Sequence, residues 1–291
     1  MPETLSAPAK INLALHILGK RADGYHDLES LFVPVPGLAD SLEISAGTPG
    51  GGCVVTPQLS DCPPDKNLIF RAWQAYGRQT GFAPDIAVRL TKRIPTGAGL
   101  GGGSSDAAAM LRWLQSNAGS AAMTQEALTA LAAGIGADVP FFLQQGPAIA
   151  EGIGERLTPV ALDLSAFTLV LALPKVHIST PWAYAAWDKH ATEKNRTQPA
   201  SDCLTTLDST NKRRVSLSPV LVRNDFEIVV FPNHANLRIL KEQLLSLGAV
   251  CAVMSGSGAG IASLFRNSSL AGDAAEALRM NGVPVHVETL R

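Results

Sequence analysis

The sequence predicts a two-lobed α+β protein, where length alone also allows one large α/β domain. Strand-like stretches of alternating hydrophobicity are interspersed with helix-like stretches of 3.6-residue period along the whole chain, and a glycine-dense loop near residue 100 runs into an amphipathic helix. A second glycine-marked break, Glu151–Pro159, divides the chain at about residue 154, with 1–154 and 155–291 as the expected domains. The 291 residues are 46% apolar, enough for a substantial core in a molecule of that organisation.

Element by element, Ile11, Leu13, Leu15 and Ile17 fall on one face of a half-buried strand, with Lys10, Asn12, Ala14 and His16 on the other. A turn at Gly19–Gly24 leads to a second strand, Tyr25 to Val35, ended by the interruptions at Pro34 and Pro36. Short strands are expected at Ser41–Ser45, Gly52–Thr56 and Asp85–Leu90, with a helix over Asn67–Thr80. In the helix after the glycine loop, Ala107, Met110, Leu111 and Leu114 recur at i, i+3, i+4 and i+7 and bury one face. Thr124 caps a helix ending near Gly134, and a new element begins in Gly136–Leu143. The second half opens with a buried strand at Ala166–Leu173 and a helix with Thr180 as its cap and Pro181 as its first residue. Asp188–Ser218 is polar and weakly periodic, a surface loop or a loosely packed helix, and no function follows from it. Helix Leu237–Leu247, strands Val250–Met254 and Ile261–Phe265 around a Ser-Gly-Ser-Gly-Ala-Gly turn, helix Leu270–Met280 and strand Val283–Leu290 complete the chain.

Charge and composition remove several function classes. With 24 basic and 25 acidic residues, no whole-molecule field recruits nucleic acid or an anionic membrane, so any anion site is local. The longest uncharged run, Leu247–Phe265, is broken by Gly256, Gly258 and Gly260 and suits a turn between strands better than a membrane span. The start lacks a basic segment followed by an apolar one, so no secretory signal is expected. Cys53, Cys62, Cys203 and Cys251 show neither a C-x-x-C pair nor zinc spacing with the histidines, which fits reduced thiols in a cytoplasmic protein.

The loop is the chemically informative segment. Gly97, Gly99, Gly101, Gly102 and Gly103 let the backbone approach a ligand closely, and Ser104 and Ser105 open a helix whose unpaired N–H groups point at the same place, an arrangement suited to phosphate. Gly97-Ala-Gly-Leu-Gly-Gly102 satisfies the dinucleotide pattern G-x-G-x-x-G, but Lys92–Pro95 intervenes where a strand should abut the loop. The acidic residue about 20 positions on, Glu126, lies in a helix. No lysine follows the glycines as in a P-loop, and the V-A-I-K, H-R-D and D-F-G segments of protein kinases are missing. On composition alone, Lys10 is a strand lysine, Asp138 a helix cap two residues before Pro140, and Tyr25 and Tyr184 packing aromatics.

The segment Pro95-Thr-Gly97-Ala98-Gly99-Leu100-Gly101-Gly102-Gly103-Ser104-Ser105 resembles the phosphate loop of the galactokinase, homoserine kinase, mevalonate kinase and phosphomevalonate kinase superfamily. Ser6-Ala-Pro-Ala-Lys-Ile-Asn-Leu-Ala-Leu with Arg21-Ala-Asp-Gly-Tyr-His26, and Met254-Ser-Gly-Ser-Gly-Ala259, agree with that superfamily in the right order. The resemblance implies a two-lobed small-molecule kinase with mixed and antiparallel sheets, its active site between the lobes and its last strand free to return to the first. It implies ATP and Mg²⁺, with Pro95 to Ser105 on the nucleotide and Ser105 as metal ligand. It also implies Asp138 as the acceptor of the substrate hydroxyl's proton, with Lys10 supporting the ionised Asp138 and the developing alkoxide and Asn12 reaching the same hydroxyl. The Tyr25-His26 segment points to one branch of the superfamily, in which the phosphoryl acceptor is the 2-hydroxyl of a diphosphocytidyl methylerythritol of the non-mevalonate isoprenoid pathway. There cytosine stacks between Tyr25 and Tyr184, and His26 reads its edge. Another small alcohol as acceptor, or a dinucleotide-dependent oxidoreductase, are the competing expectations.

Overall fold

A computed structural model describes residues 2–58, 62–193, 206–207, 213–214 and 221–290. In chain order the strands are β1 (Glu3–Lys20), β2 (His26–Ala46), β3 (Cys53–Thr56), β4 (Ile86–Thr91), β5 (Ala148–Gly152), β6 (Arg156–Pro159), β7 (Thr168–Ala172), β8 (Thr206–Leu207), β9 (Arg213–Arg214), β10 (Arg223–Asn224), β11 (Cys251–Met254), β12 (Ile261–Phe265) and β13 (Val285–Thr289). The helices are α1 (Leu68–Thr80), α2 (Gly102–Asn117), α3 (Gln125–Ile135), α4 (Thr180–Glu193), α5 (Glu227–Asn233), α6 (Ala235–Ser246) and α7 (Ser268–Met280). Most of the polar tract expected as a surface loop or loosely packed helix lies outside the described residues, and its first part, Asp188–Glu193, is helical and finishes α4.

The chain forms two compact units, each assembled from separate stretches: Met1–Ala9, Pro36–Thr96 and Gly101–Gln145 in one, Lys10–Val35, Gly97–Leu100 and Gly146–Arg291 in the other. The boundary expected at Glu151–Pro159 falls inside the β5–β6 hairpin, whose glycines, Gly152 and Gly154, make its turn with φ of 71° and 116°. β1 and β2 are each long enough to contribute to both units.

In the first unit, the second half of β2 pairs antiparallel with β4, Ser41 opposite Thr91, and β3 runs parallel to β4. Three helices complete it. Asn67 accepts the Ile69 N–H to cap α1, and Thr124 accepts the Ala127 N–H to cap α3, as short polar side chains do at helix starts. The faces they bury carry Ile69, Ala72 and Tyr76 on α1, and Leu128, Ala132 and Ile135 on α3. On α2 the expected Ala107, Met110, Leu111 and Leu114 are buried, but so are Ser105, Asp106, Ala108 and Ala109, so its first half is enclosed all round rather than on one face.

In the second unit, β1 lies between β10 and β2, and the first half of β2 pairs antiparallel with β5, which turns into β6. A second sheet, ordered β11–β12–β7–β13, is antiparallel throughout, so the last strand ends here beside β7. Phe226, Phe265, Leu237, Leu244 and Leu278 form a core with α4 to α7 around this sheet.

Three expectations are corrected. β2 does not stop at Pro34: its pairing with β5 ends at Phe32 and that with β4 begins at Ser41, so the prolines sit where neither strand needs their missing N–H. β1 is buried on both faces rather than half-buried, because its polar residues are satisfied internally. α4 is capped by Ser179, whose carbonyl accepts the Ala183 N–H, while the Thr180 hydroxyl bonds Ser257 Oγ at 2.7 Å.

Candidate active site

The glycine loop is forced by geometry. Gly97, Gly99 and Gly101 have φ of 72°, 74° and 70°, a region costly for side chains, and the intervening Ala98 and Leu100 are buried as anchors. At Gly99 an added Cβ would lie 2.0 Å from the Ser255 carbonyl oxygen, so backbone meets backbone there. The Ser255 hydroxyl donates to Gly99 O at 2.9 Å, and the Gly260 N–H to Ala98 O at 3.1 Å. Asn224 holds the second turn from behind, donating from Nδ2 to Met254 O and Gly256 O. The turn after β11 therefore braces the glycine loop.

The same cluster contains Lys10 and Asn12. Lys10 is 3% exposed, donates through Nζ to Asn12 Oδ1 at 2.6 Å and lies over the Phe32 ring, while its backbone N–H donates to Leu100 O at 3.0 Å. Asn12 donates its backbone N–H to Ser255 Oγ and its Nδ2 to Ser30 Oγ. Lys10 is thus held on β1 beside the glycine loop, and its neighbour Asn12 ties β1 to the turn that braces that loop.

In the first unit, α2 begins at Gly102, two residues before the expected Ser104, with Gly101 as a left-handed cap residue and no side-chain cap. Its first N–H groups are left for a ligand, beside exposed Gly103 and half-buried Ser104. Pro95 is exposed ahead of the loop, and Lys92–Thr96 separate β4 from Gly97, so no strand abuts the glycines as a dinucleotide fold requires. Asp138 is half-buried in the turn that follows α3. The next 3₁₀ turn, Pro140–Leu143, takes Val139 as its cap residue with no side-chain bond. That turn lies by the start of α2: a Cβ on Gly136 would be 3.9 Å from Ser104 Oγ, and Arg112 of α2 donates to the Phe142 carbonyl.

Asp106 is not in the first helical turn, so the helix dipole does not account for it. It belongs to a buried charge cluster that sequence reasoning missed. Lys92 Nζ donates to Asp106 Oδ2 at 2.9 Å and to Asp40 Oδ2, and Asp40 Oδ1 accepts the N–H groups of Arg93 and Ile94. Burial, reinforced by the Asp40 charge, pushes Asp106 up to about 7 against the pull of Lys92. Burial works against the charged form of Lys92, but Asp106 and Asp40 together hold it above its usual value. The Ser105 hydroxyl and Asp106 Oδ1 are buried without a hydrogen-bond partner. Adjacent unsatisfied hard oxygens suit a Mg²⁺ site with one or two protein ligands, so the residues present fit that ion.

Tyr184 stacks on His26, with ring centroids 4.5 Å apart and planes 18° apart, and its edge meets Phe226. Tyr25 stands 60% exposed in the turn before β2, because Gly24 takes φ of 88° and Asp23 fixes the Tyr25 N–H, leaving the buried His26 to face α4. His26 Nε2 bonds Asp188 Oδ1 at 2.6 Å, and Asp188 Oδ2 accepts Lys20 Nζ at 2.6 Å. Asp188 follows Tyr184 by four residues on α4, a spacing that could have flagged it.

Comparison with known proteins agrees with this geometry. A model described as GHMP kinases N terminal domain matches residues 67–146, and one described as GHMP kinases C terminal matches residues 211–283. Over 287 residues the chain is 45% identical to the 4-diphosphocytidyl-2-C-methyl-D-erythritol kinase of Nitratidesulfovibrio vulgaris (strain Hildenborough), covering 99% of this chain and 98% of that one. It is 39% identical to the kinase of the same description from Chlorobium limicola, covering 97% and 95%. A crystal structure of 4-(cytidine 5'-diphospho)-2C-methyl-D-erythritol kinase superposes with a TM-score of 0.75 at 32% identity over 98% of both chains. The mevalonate kinase of Methanococcus jannaschii shares the fold, with a TM-score of 0.62 at 12% identity over 100% and 99% of the chains.

Proposed function

Because the chain belongs to the GHMP kinases, in the family of 4-diphosphocytidyl-2-C-methyl-D-erythritol kinases, we infer that it transfers the γ-phosphoryl group of ATP to the 2-hydroxyl of 4-diphosphocytidyl-2-C-methyl-D-erythritol. That reaction is a step of the non-mevalonate route to isoprenoid precursors. The observation that carries the reading is the locking of Gly99 against Ser255 in one cluster with buried Lys10 and Asn12, which joins a phosphate cradle to an ammonium suited to a reacting oxygen. No helix among the described residues is long and apolar enough to cross a membrane.

Phosphoryl transfer asks a protein for positioning, charge neutralisation and a place for one proton. The N–H groups of Gly97–Gly103 and the uncapped start of α2 bind and orient the ATP phosphates. Asp138 accepts the proton of the 2-hydroxyl, and Lys10, oriented by Asn12, stabilises the negative charge that grows on that oxygen. Ser105, with Asp106 behind it, would hold Mg²⁺, and the ion when bound neutralises charge on the phosphate oxygens. Tyr25, His26 and Tyr184 serve the cytidine end of the substrate.

Phosphorus NMR of the product tests the assignment. The expected result is a new phosphate monoester resonance with carbon coupling at the position bearing the 2-hydroxyl. Phosphate on another hydroxyl, or no new monoester, contradicts it.

A further inference from the structure

We propose that Asp188 is a positioning residue for nucleobase choice: by accepting the Nε2–H of His26 it fixes the buried imidazole as one tautomer, whose Nδ1 accepts a hydrogen from the exocyclic amino group of cytosine. The proposal rests on the reading above that the substrate carries cytidine. Three observations lead to it. Asp188 and Tyr184 share one face of α4, so the helix delivers a ring and a carboxylate together. Both engage His26, Tyr184 by stacking and Asp188 at 2.6 Å, and His26 is 6% exposed, so water does not average its orientation. Asp188 is itself held from the other side by Lys20, which spans from the end of β1.

The chemistry follows from donor and acceptor capacity. Partial burial works against ionisation of Asp188, but the hydrogen bonds from Lys20 and His26 hold its carboxyl below the usual range. An ionised carboxylate only accepts, so Nε2 carries the hydrogen, and in the neutral ring Nδ1 is an acceptor. Cytosine presents a 4-amino donor where uracil presents a carbonyl acceptor, so the fixed tautomer pairs with the first and opposes the second. A polar group left unpaired in a buried site is a strong discriminator between near-isosteric ligands.

The test couples a spectroscopic readout with kinetics. Long-range proton–nitrogen NMR of nitrogen-labelled protein is expected to show His26 with hydrogen on Nε2 and none on Nδ1, and Asp188→Ala is expected to mix the tautomers. With the cytidine substrate, Asp188→Ala should raise KM about tenfold with kcat little changed, and should narrow the preference over the uridine analogue by a similar factor. Asp188→Asn, whose amide oxygen still accepts from Nε2–H, should keep the tautomer and recover most of the KM, which separates positioning from a folding defect. A wild-type His26 carrying hydrogen on Nδ1, or an active Asp188→Ala variant with unchanged tautomer and unchanged base preference, overturns the proposal. A wild type that turns over no cytidine substrate overturns the function reading itself, a result distinct from an active enzyme indifferent to Asp188.

Discussion

Lys10 and Asp138 carry the chemistry in the proposed mechanism, and each can be removed without dismantling the phosphate cradle. Lys10→Ala and Asp138→Asn are each expected to lower kcat by about a thousandfold or more while nucleotide affinity, measured by calorimetry, stays nearly intact. A variant that keeps near-normal kcat assigns that residue another role. Lys92 makes a contrasting case. It is the cation between two buried carboxyl groups, and Lys92→Met removes the charge that offsets their burial, which should cost about 3–5 kcal/mol of stability in a denaturant titration. A loss under about 1 kcal/mol would show that the cluster relaxes or takes up a proton. At this scale the sequence was uneven as a guide. Lys10 and Asn12 share a strand face, so alternation alone placed them together, whereas the Asp40–Lys92–Asp106 cluster joins residues 52 and 14 positions apart and left no local signal. Tyr25 and Tyr184 were legible as aromatics, but which ring meets Tyr184 depended on the turn at Gly24.

Among the elements, the loop and the turn that braces it are the ones whose geometry admits no substitute. Gly99→Ala puts a Cβ against the Ser255 carbonyl at a positive φ, so ATP affinity should collapse. Gly24→Ala, also at positive φ but with open space around it, should lose about 1 kcal/mol of stability to backbone strain yet bind ATP as the wild type does. Equal ATP affinity in the two variants would mean that close backbone approach is not what the loop requires. The helices were the most legible elements, because caps and periodicity are local: Thr124 caps α3 as the pattern predicts, α1 falls within one residue of its expected start, and Ala107, Met110, Leu111 and Leu114 of α2 are buried. Strand β2 was misjudged because proline is disfavoured only where a strand partner needs its N–H, and pairing is a non-local property. Gly152 and Gly154 of the β5–β6 hairpin read as a boundary because glycine marks a tight turn and a linker alike. Helix α5 escaped notice because Pro232 sits within it, tolerated near its end.

At the scale of the whole molecule, the two units are interleaved along the chain, and contiguous domain limits were the part of the organisation least visible in the sequence. Among the described residues, each unit holds one buried thiol. Burial pushes Cys53 up to about 12 and Cys251 up to about 11, so neither presents thiolate to a reagent at neutral pH, while Cys62 is partly exposed. In a Cys203→Ser background, a thiol reagent at pH 8 should label Cys62 promptly, and Cys53 and Cys251 only as denaturant opens their units. Prompt labelling of either would place it at a surface. In the proposed mechanism the acceptor alcohol is set by the residues around His26, Tyr184 and Asp188 rather than by the fold, which a mevalonate kinase shares. The most direct test of this central claim is ADP release with 4-diphosphocytidyl-2-C-methyl-D-erythritol against a panel of small alcohols that lack the cytidine diphosphate group, homoserine and mevalonate included. The predicted result is turnover with the cytidine-bearing alcohol and none above background with the others. Comparable kcat/KM for an alcohol without that group would contradict it.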